Sequence, residues 1–294
     1  MSIAIIINPV AGGAAPESAR ARAELAAAVL ERSDRTGDIF VTEKAGHARS
    51  LTEAAIGRGV DLVVAWGGDG TINEVASALA FGDVALGIIP AGSGNGLATE
   101  MRIDRRPERA LTGAIEATPS RMDVGEIGGR LFVNVAGIGF DAHVASQFDM
   151  PGNVRRGFRS YVTIGVRALL TYTPATYRIS TGDLYRTFRA VLVAVTNGAQ
   201  YGNGAVIAPR ARLDDGELDL VVVEEKWRAI TLLQTPRLFS GSIGCAPGYS
   251  SRRVREVTIE CAQPMMFHVD GEPVQGGTSL TARVHPGALK VCIK

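Results

Sequence analysis

Two glycine-rich segments carry the clearest chemistry. Trp66-Gly67-Gly68-Asp69-Gly70-Thr71-Ile72-Asn73-Glu74 follows a short apolar run and opens a helical pattern. Glycines at such a junction let backbone N–H groups turn toward a ligand with no Cβ in the way. The helix behind them adds free amides and a positive dipole end. That suits a phosphate, and it equally suits an ordinary tight strand-to-helix turn. Asp69 separates the two readings, because a carboxylate there repels phosphate unless a metal or a proton transfer involves it. A second loop, Pro90-Ala91-Gly92-Ser93-Gly94-Asn95-Gly96, also closes an apolar run. Two such loops at the carboxyl ends of neighbouring parallel strands can face one crevice. Neither is a P-loop, since the Gly-Lys-[Ser/Thr] ending is missing, and neither is a dinucleotide fingerprint. A third loop, Asn8-Pro9-Val10-Ala11-Gly12-Gly13, ends the first run; Asn8 either bonds a nucleotide or holds the turn.

Acidic turns supply a different chemistry. Asp214-Asp215-Gly216-Glu217 places carboxylates and carbonyls on one tight turn, as a magnesium ion with oxygen ligands requires. Asp270-Gly271-Glu272-Pro273 has the same character, and both also read as plain Asp-Gly hairpin turns. Phosphoryl transfer needs charge neutralisation, in-line positioning and often a base for the acceptor hydroxyl. His47, His143, His268 and His285 are isolated and lack metal spacing; His268, two residues before Asp270, reads as a structural strand histidine, with an approach to a ligand cleft as the alternative. Arg155-Arg156-Gly157-Phe158-Arg159 reads as a solvated helix start, with anionic lipid headgroups as the alternative. Cys245, Cys261 and Cys292 are too few and too scattered for a disulfide framework and read as buried, reduced thiols.

The elements that must position these groups fall into two rhythms. Up to about residue 120, apolar runs (Ile3–Ile7, Ile39–Thr42, Leu62–Ala65, Ala85–Ile89) alternate with helical patterns (Glu17–Glu31, His47–Arg58, Thr71–Ala80, Arg106–Ala117). That alternation predicts a parallel sheet covered on both faces. Beyond Pro119 the runs Met122–Ile127, Leu131–Val135, Tyr177–Thr181, Phe188–Thr196, Leu218–Val223, Val254–Glu260 and Leu280–Val284 read as strands, with one helix at Arg159–Leu170. The fold class expected is therefore α/β in two domains. An N-terminal three-layer α/β nucleotide-binding domain occupies 1–122, and a C-terminal β-sandwich domain, carrying substrate and metal sites, occupies 123–294. A chain of 294 residues is long enough for two cores. A net charge of +1 offers no electrostatic case for nucleic acid. Met1–Ile7 lacks the basic and long apolar regions of a secretory signal, and the longest charge-free stretch, Ala190–Pro209, is too broken by Gly and Asn to span a bilayer. A cytoplasmic protein is expected.

Taken in order and at these separations, the segments resemble the diacylglycerol kinase catalytic-domain family, which includes bacterial lipid kinases and the sphingosine and ceramide kinases. The resemblance runs through Asn8-Pro-Val-Ala-Gly, Thr42 before Gly46-His47-Ala48, Gly67 to Glu74, Pro90 to Asn95, Gly137-Ile-Gly-Phe-Asp-Ala142 and Arg156-Gly157 with Tyr161. It continues through Asp214 to Asp219 and Asp270-Gly-Glu272. It implies a nucleotide-binding α/β domain, a β-sandwich domain and a cleft between them. ATP would lie near Asn8, Thr42, Gly67, Gly68, Asp69, Gly70, Thr71, Asn73 and Ser93. Magnesium would be held by Asp215 and by the main-chain carbonyls of Arg212 and Glu217. Glu272 matches the family's proton acceptor, with Asp69 linked to it through water and metal. In the sphingosine kinases the glycine-loop Asp takes the base role, which would make Asp69 the base instead. Asp141 resembles an acid that recognises the sphingoid amine, or is a turn carboxylate.

Two departures bear on the acceptor. Ser93 and Gly96 stand where many bacterial relatives carry Thr and Asp, whereas the Gly-Gly-Asp-Gly-Thr loop is unlike that of the sphingosine group. The reading is an ATP- and magnesium-dependent kinase of a lipid alcohol, diacylglycerol-like or sphingoid, touching a membrane surface during turnover and compatible with a homodimer. A soluble acceptor such as NAD, and a non-catalytic nucleotide-binding regulator, are the alternatives.

Overall fold

Every residue from Ile3 to Ile7 is buried, and a strand with no polar alternation must be covered on both faces. The computed structural model, which describes residues 1–15, 17–148, 168, 171–182, 184–226 and 228–293, builds the first part of the chain around that strand. In order come β1 (Ser2–Ile7), α1 (Ser18–Arg32), β2 (Thr36–Val41), α2 (His47–Gly57), β3 (Leu62–Gly67), α3 (Asp69–Leu79), β4 (Ala85–Pro90), α4 (Gly96–Glu100) and α5 (Pro107–Glu116). The strands pair in parallel in the order β2-β1-β3-β4. Ile3, Ile5, Ile7, Leu62, Val64 and Trp66 share one core with Ala26, Val29 and Leu30 of α1 and Ala110, Leu111 and Ile115 of α5. Helices α2 and α3 pack together, α2 against β1 and α3 against β3 and β4, which completes three layers. Pro107 opens α5, where its missing N–H would have had no helical partner.

The chain divides into two compact units, Met1–Met122 with Gly287–Lys294, and Asp123–Pro286. The expected domain 123–294 is corrected at its end. Val291 pairs in parallel with Leu86, the Cys292 amide donates to the Leu86 carbonyl at 2.8 Å, and Phe81 N–H donates to Ala288 at 2.7 Å. The last residues are therefore part of the first unit's sheet.

The elements that follow are β5 (Ser120–Ile127), β6 (Arg130–Phe132), β7 (Val135–Gly139), α6 (Phe140–Phe148), β8 (Ala175–Thr181), β9 (Leu184–Thr196), β10 (Gln200–Gly202), β11 (Ala205–Val206), β12 (Leu218–Glu224), α7 (Arg228–Phe239), β13 (Tyr249–Val254), β14 (Glu256–Cys261), β15 (Met266–Val269), β16 (Glu272–Gln275) and β17 (Ser279–Val291); they form the second unit, except that the start of β5 and the end of β17 belong to the first. The long β9 lies antiparallel to β7, β8 and β12. Period-2 alternation then builds two cores. Ala136, Ile138, Val193, Val195, Leu220 and Val222 face one, while Val135, Ala194 and Val221 face the other. This is the β-sandwich class expected.

Several local expectations change. Leu131–Val135 is not one strand: β6 ends at Phe132 and β7 begins at Val135, because the intervening amides bond a side chain rather than a ladder. Val254–Glu260 breaks at Arg255, so that β13 pairs β12 while β14 pairs β8 and β17. Helix α7 was not foreseen, since Pro236 lies inside it. The expected helix Arg159–Leu170 lies, but for Ala168, outside the described residues, as do Arg155-Arg156-Gly157-Phe158-Arg159 and Tyr161. Of the three unpaired cysteines only Cys292 is buried; Cys245 is exposed and Cys261 half-buried. Among the described residues no helix is long and apolar enough to cross a membrane.

Candidate active site

In the first unit the chain leaves β1 toward β2 on one side, while β3 lies on the other. That reversal is where open parallel sheets form a ligand crevice at the strands' carboxyl ends. Asn8 follows β1 there. Its Nδ2 donates to Thr71 Oγ1 at 2.9 Å and its Oδ1 accepts the Val10 N–H at 3.1 Å. Asn8 therefore holds its own turn and ties it to α3. Arg22 of α1 donates to the Asn8 and Ala11 carbonyls at 2.6 and 3.4 Å and lies 5.9 Å over the Trp66 ring. Thr42, just past β2, is buried and donates its amide to Ile7 at 2.9 Å.

The two glycine loops meet directly. A Cβ on Gly92 would lie 2.5 Å from the Gly68 Cα, so only glycine permits this approach. Asp69 fastens the contact: Oδ2 accepts the Asn95 N–H at 2.9 Å and Oδ1 the Gly96 N–H at 2.8 Å. Asn95 in turn exchanges two 2.8 Å bonds with the Gly92 backbone. The structure thus brings Asn8, Gly67, Gly68, Asp69, Gly70, Thr71 and the Gly92–Gly96 loop together. Asn73 is buried on α3 and accepts from Ser77 Oγ at 3.4 Å, whereas Ser93 is exposed at the loop tip. The start of α2 is already occupied. Glu74 accepts the Gly46 and Arg49 amides at 2.8 and 3.3 Å, an anchor between helices that sequence reasoning missed.

In the second unit the acidic turn before β12 is held from below. Buried Asp123 accepts the Gly216 N–H at 2.7 Å, and its own amide donates to Leu213 at 2.7 Å. Asp215 Oδ1 accepts the Glu217 N–H at 3.2 Å, while Arg253 Nη1 stands 3.7 Å from Asp215 Oδ2 and 3.5 Å from Glu217 Oε2. Arg212 is exposed and its guanidinium reaches Asp214 at 3.3 Å. Among the described residues no three His, Cys, Asp or Glu side chains form a metal cluster. The expected magnesium set depends on one carboxylate and two carbonyls. All three donors are oxygen, they sit on one tethered turn, and Asp215 Oδ2 faces Arg253 at 3.7 Å, so the residues fit a hard cation that keeps several waters. Nearby Asp219 is buried, which raises its pKa, and it accepts from Ser251 Oγ at 2.9 Å.

Glu272 follows a two-residue hairpin turn between β15 and β16, with Asp270 at φ 47° and Gly271 at φ 90°, both in the left-handed region. Buried Asp270 accepts the amides of Val133, Asn134 and Val135 at 2.8, 3.0 and 2.9 Å. This carboxylate replaces the ladder between β6 and β7 and fixes the turn, while Glu272 itself is exposed. Asp141, on the first turn of α6, is buried; Tyr201 Oη–H donates to its Oδ2, and the same oxygen bonds His268 Nε2. The roles of Arg22, Glu74, Asp123, Asp270, Arg253, Tyr201 and His268 left no spacing signal, because each works across elements distant in sequence.

The comparisons agree with this architecture. Residues 2–127 match the model of the diacylglycerol kinase catalytic domain, and residues 134–293 match that of the YegS C-terminal NAD kinase beta sandwich-like domain. The chain belongs to the diacylglycerol kinase catalytic-domain family, a family of phosphotransferases that use ATP. It is 33% identical over 268 residues to a Pseudomonas aeruginosa protein named "Probable lipid kinase YegS-like", covering 90% of this chain and 87% of that one. A Chromohalobacter salexigens protein of the same name is 32% identical, covering 85% and 82%. A Bacillus anthracis crystal structure described as a diacylglycerol kinase superposes with a TM-score of 0.73 over 100% of this chain and 97% of that one; at 20% identity it is a likeness of fold.

Proposed function

We propose that this protein transfers the γ-phosphoryl group of ATP, with magnesium, to a hydroxyl of a neutral lipid alcohol of the diacylglycerol type. The observation that carries the reading is the Gly68–Gly92 contact fastened by Asp69. It sets the start of α3, with its positive dipole end, beside a second glycine loop at the crevice of a parallel sheet. The names of the relatives support a lipid as acceptor.

Asn8, Thr42 and the loops at 67–73 and 92–96 hold the nucleotide. Asp215 and the carbonyls of Arg212 and Glu217 hold magnesium, which when bound neutralises charge on phosphate oxygens. Glu272 accepts the proton of the acceptor hydroxyl as the new P–O bond forms and ADP leaves. Asp69 already accepts two amides, so its task is to hold the loops in register, which favours Glu272 as the base. Asp141 is engaged by His268 and Tyr201, which favours a neutral acceptor over one bearing an ammonium group.

Transfer of label from γ-labelled ATP tests this, with magnesium and a panel of short-chain diacylglycerol, monoacylglycerol, sphingosine, phosphatidylglycerol and NAD. Label in diacylglycerol is expected. Label in sphingosine alone would refute the reading of Asp141, and label in NAD alone would replace the lipid. ATP binding with no transfer to any acceptor would favour a regulator.

A further inference from the structure

The Glu272 turn is held on two sides. On one side Asp270 binds three amides of the β6–β7 junction. On the other, the Gly271 N–H, immediately before Glu272, donates to His268 Nδ1 at 3.1 Å. An imidazole nitrogen accepts only when it carries no proton, so this bond requires the ring proton to sit on Nε2. There it meets Asp141 Oδ2, which also receives the Tyr201 hydroxyl. His268 and Asp141 are both buried, and the Tyr201 and His268 rings meet edge to face at 6.2 Å. The cluster is built around Gly137, the register partner of His268 in the β7–β15 pair. A Cβ on Gly137 would lie 2.2 Å from Asp141 Oδ2, 2.6 Å from His268 Nε2 and 3.0 Å from Tyr201 Oη.

We infer that His268 is a positioning residue for the phosphoryl-transfer reaction: Asp141 and Tyr201 fix its Nε2–H tautomer, and its bare Nδ1 holds the Gly271 amide and with it the Glu272 carboxylate. The inference rests on the reading of Glu272 as proton acceptor. Burial works against the His268 cation, while the charge and hydrogen bond of Asp141, with the charge of Asp270 behind them, raise its pKa above the usual histidine value. The Gly271 bond works for the neutral ring, and the geometry holds that form. Asp141, Asp270 and Tyr201 are the groups that act on the ring from α6, the β15–β16 turn and β10.

Two substitutions separate positioning from packing. In His268→Asn the side-chain oxygen stands near the place of Nδ1 and can still accept from Gly271, but the Asp141 contact is lost. In His268→Gln the amide nitrogen reaches toward Asp141, and the Gly271 acceptor is lost. Turnover is measured with ATP, magnesium and short-chain diacylglycerol in detergent micelles, beside Glu272→Gln and thermal melts. The expected result is a kcat within about threefold of wild type for His268→Asn and down about 10- to 100-fold for His268→Gln, as for a displaced reacting group. KM for ATP should stay unchanged, and the order of stability should be the reverse of the order of kcat. If Glu272→Gln lowers kcat but His268→Gln matches or exceeds His268→Asn, the inference is overturned while the base assignment stands. If Glu272→Gln leaves kcat unchanged, the base assignment fails and the inference fails with it. Nitrogen-15 spectra of His268 in the unmodified protein need no variant. They should show protonated Nε2 and unprotonated Nδ1 at neutral pH, and a proton on Nδ1 would overturn the inference.

Discussion

In the first unit the candidate groups of the glycine loops are backbone: Gly68 and Gly92 approach with no side chain between them, and the Asp69 carboxylate ties their loops together. In the second unit the candidate groups are carboxylates and carbonyls on turns, and each turn is tethered by another carboxylate beneath it. Asp123 supports the Asp215 turn and Asp270 the Glu272 turn. The contrast separates two uses of an acid. Asp69, Asp123 and Asp270 accept backbone amides and shape the protein. Asp215, which among the bonds described accepts only a local amide two residues on, and Glu272 stand at the partly exposed or exposed edge of a shaped turn, the setting in which their ligand roles are proposed.

That division is broken most severely at Asp270. Asp270→Ala leaves three buried amides without their acceptor and should destabilise the second unit by about 3 kcal/mol or more, read by denaturant unfolding. A loss under about 1 kcal/mol would mean that the carboxylate is not structural. Next comes Gly92→Ala. Its Cβ meets the Gly68 Cα, so the loops must part at a strain of about 1–3 kcal/mol. KM for ATP should rise by the corresponding factor of about 5- to 150-fold, with the fold retained by circular dichroism.

Those loops were legible because glycine reports a close backbone approach through its type alone. The parallel sheet was legible for a similar reason: uninterrupted apolar runs such as Ile3–Ile7 admit few other structures. The tethers were not. Nothing in the local sequence of Asp270 or Asp123 says that they accept amides from residues 133–135 or 216, and Asp-Gly reads equally as hairpin turn and ligand turn. At Asp270-Gly271-Glu272 the hairpin turn is what the structure shows, the first residue making the turn and the third standing exposed after it; the ligand role of Glu272 is the reading proposed above. The return of Gly287–Lys294 to the first sheet was hidden because a strand's sequence does not name its partner.

A smaller effect sharpens the ligand side. Asp215→Asn keeps the side-chain bond to the Glu217 amide but removes the charge offered to a cation. The magnesium concentration for half-maximal rate should rise about tenfold or more, with little change in melting temperature. An unchanged magnesium dependence would remove Asp215 from the metal set. The smallest effect serves as a control, at a carboxylate that pairs with side chains instead of shaping a turn. Glu126 binds Arg283 at 2.9 Å and His285 at 2.7 Å. Burial opposes its ionisation, but the bonds to His285 and Arg283 prevail and lower its pKa. A depressed carboxylate contributes stability at neutral pH that is lost as pH falls below the ordinary glutamate range. Glu126→Gln should therefore cost about 1 kcal/mol or less at neutral pH and nothing in strong acid, by unfolding across pH.

The measurement that bears most directly on the division of labour is single-turnover phosphoryl transfer by Glu272→Gln and Asp69→Asn, each compared with its own ATP affinity. The account predicts that Glu272→Gln binds ATP normally and loses transfer by about 10²–10⁴-fold, the usual contribution of a general base, while Asp69→Asn weakens ATP binding. Full transfer by Glu272→Gln, with abolition by Asp69→Asn at unchanged ATP affinity, would contradict it and move the base to the glycine loop.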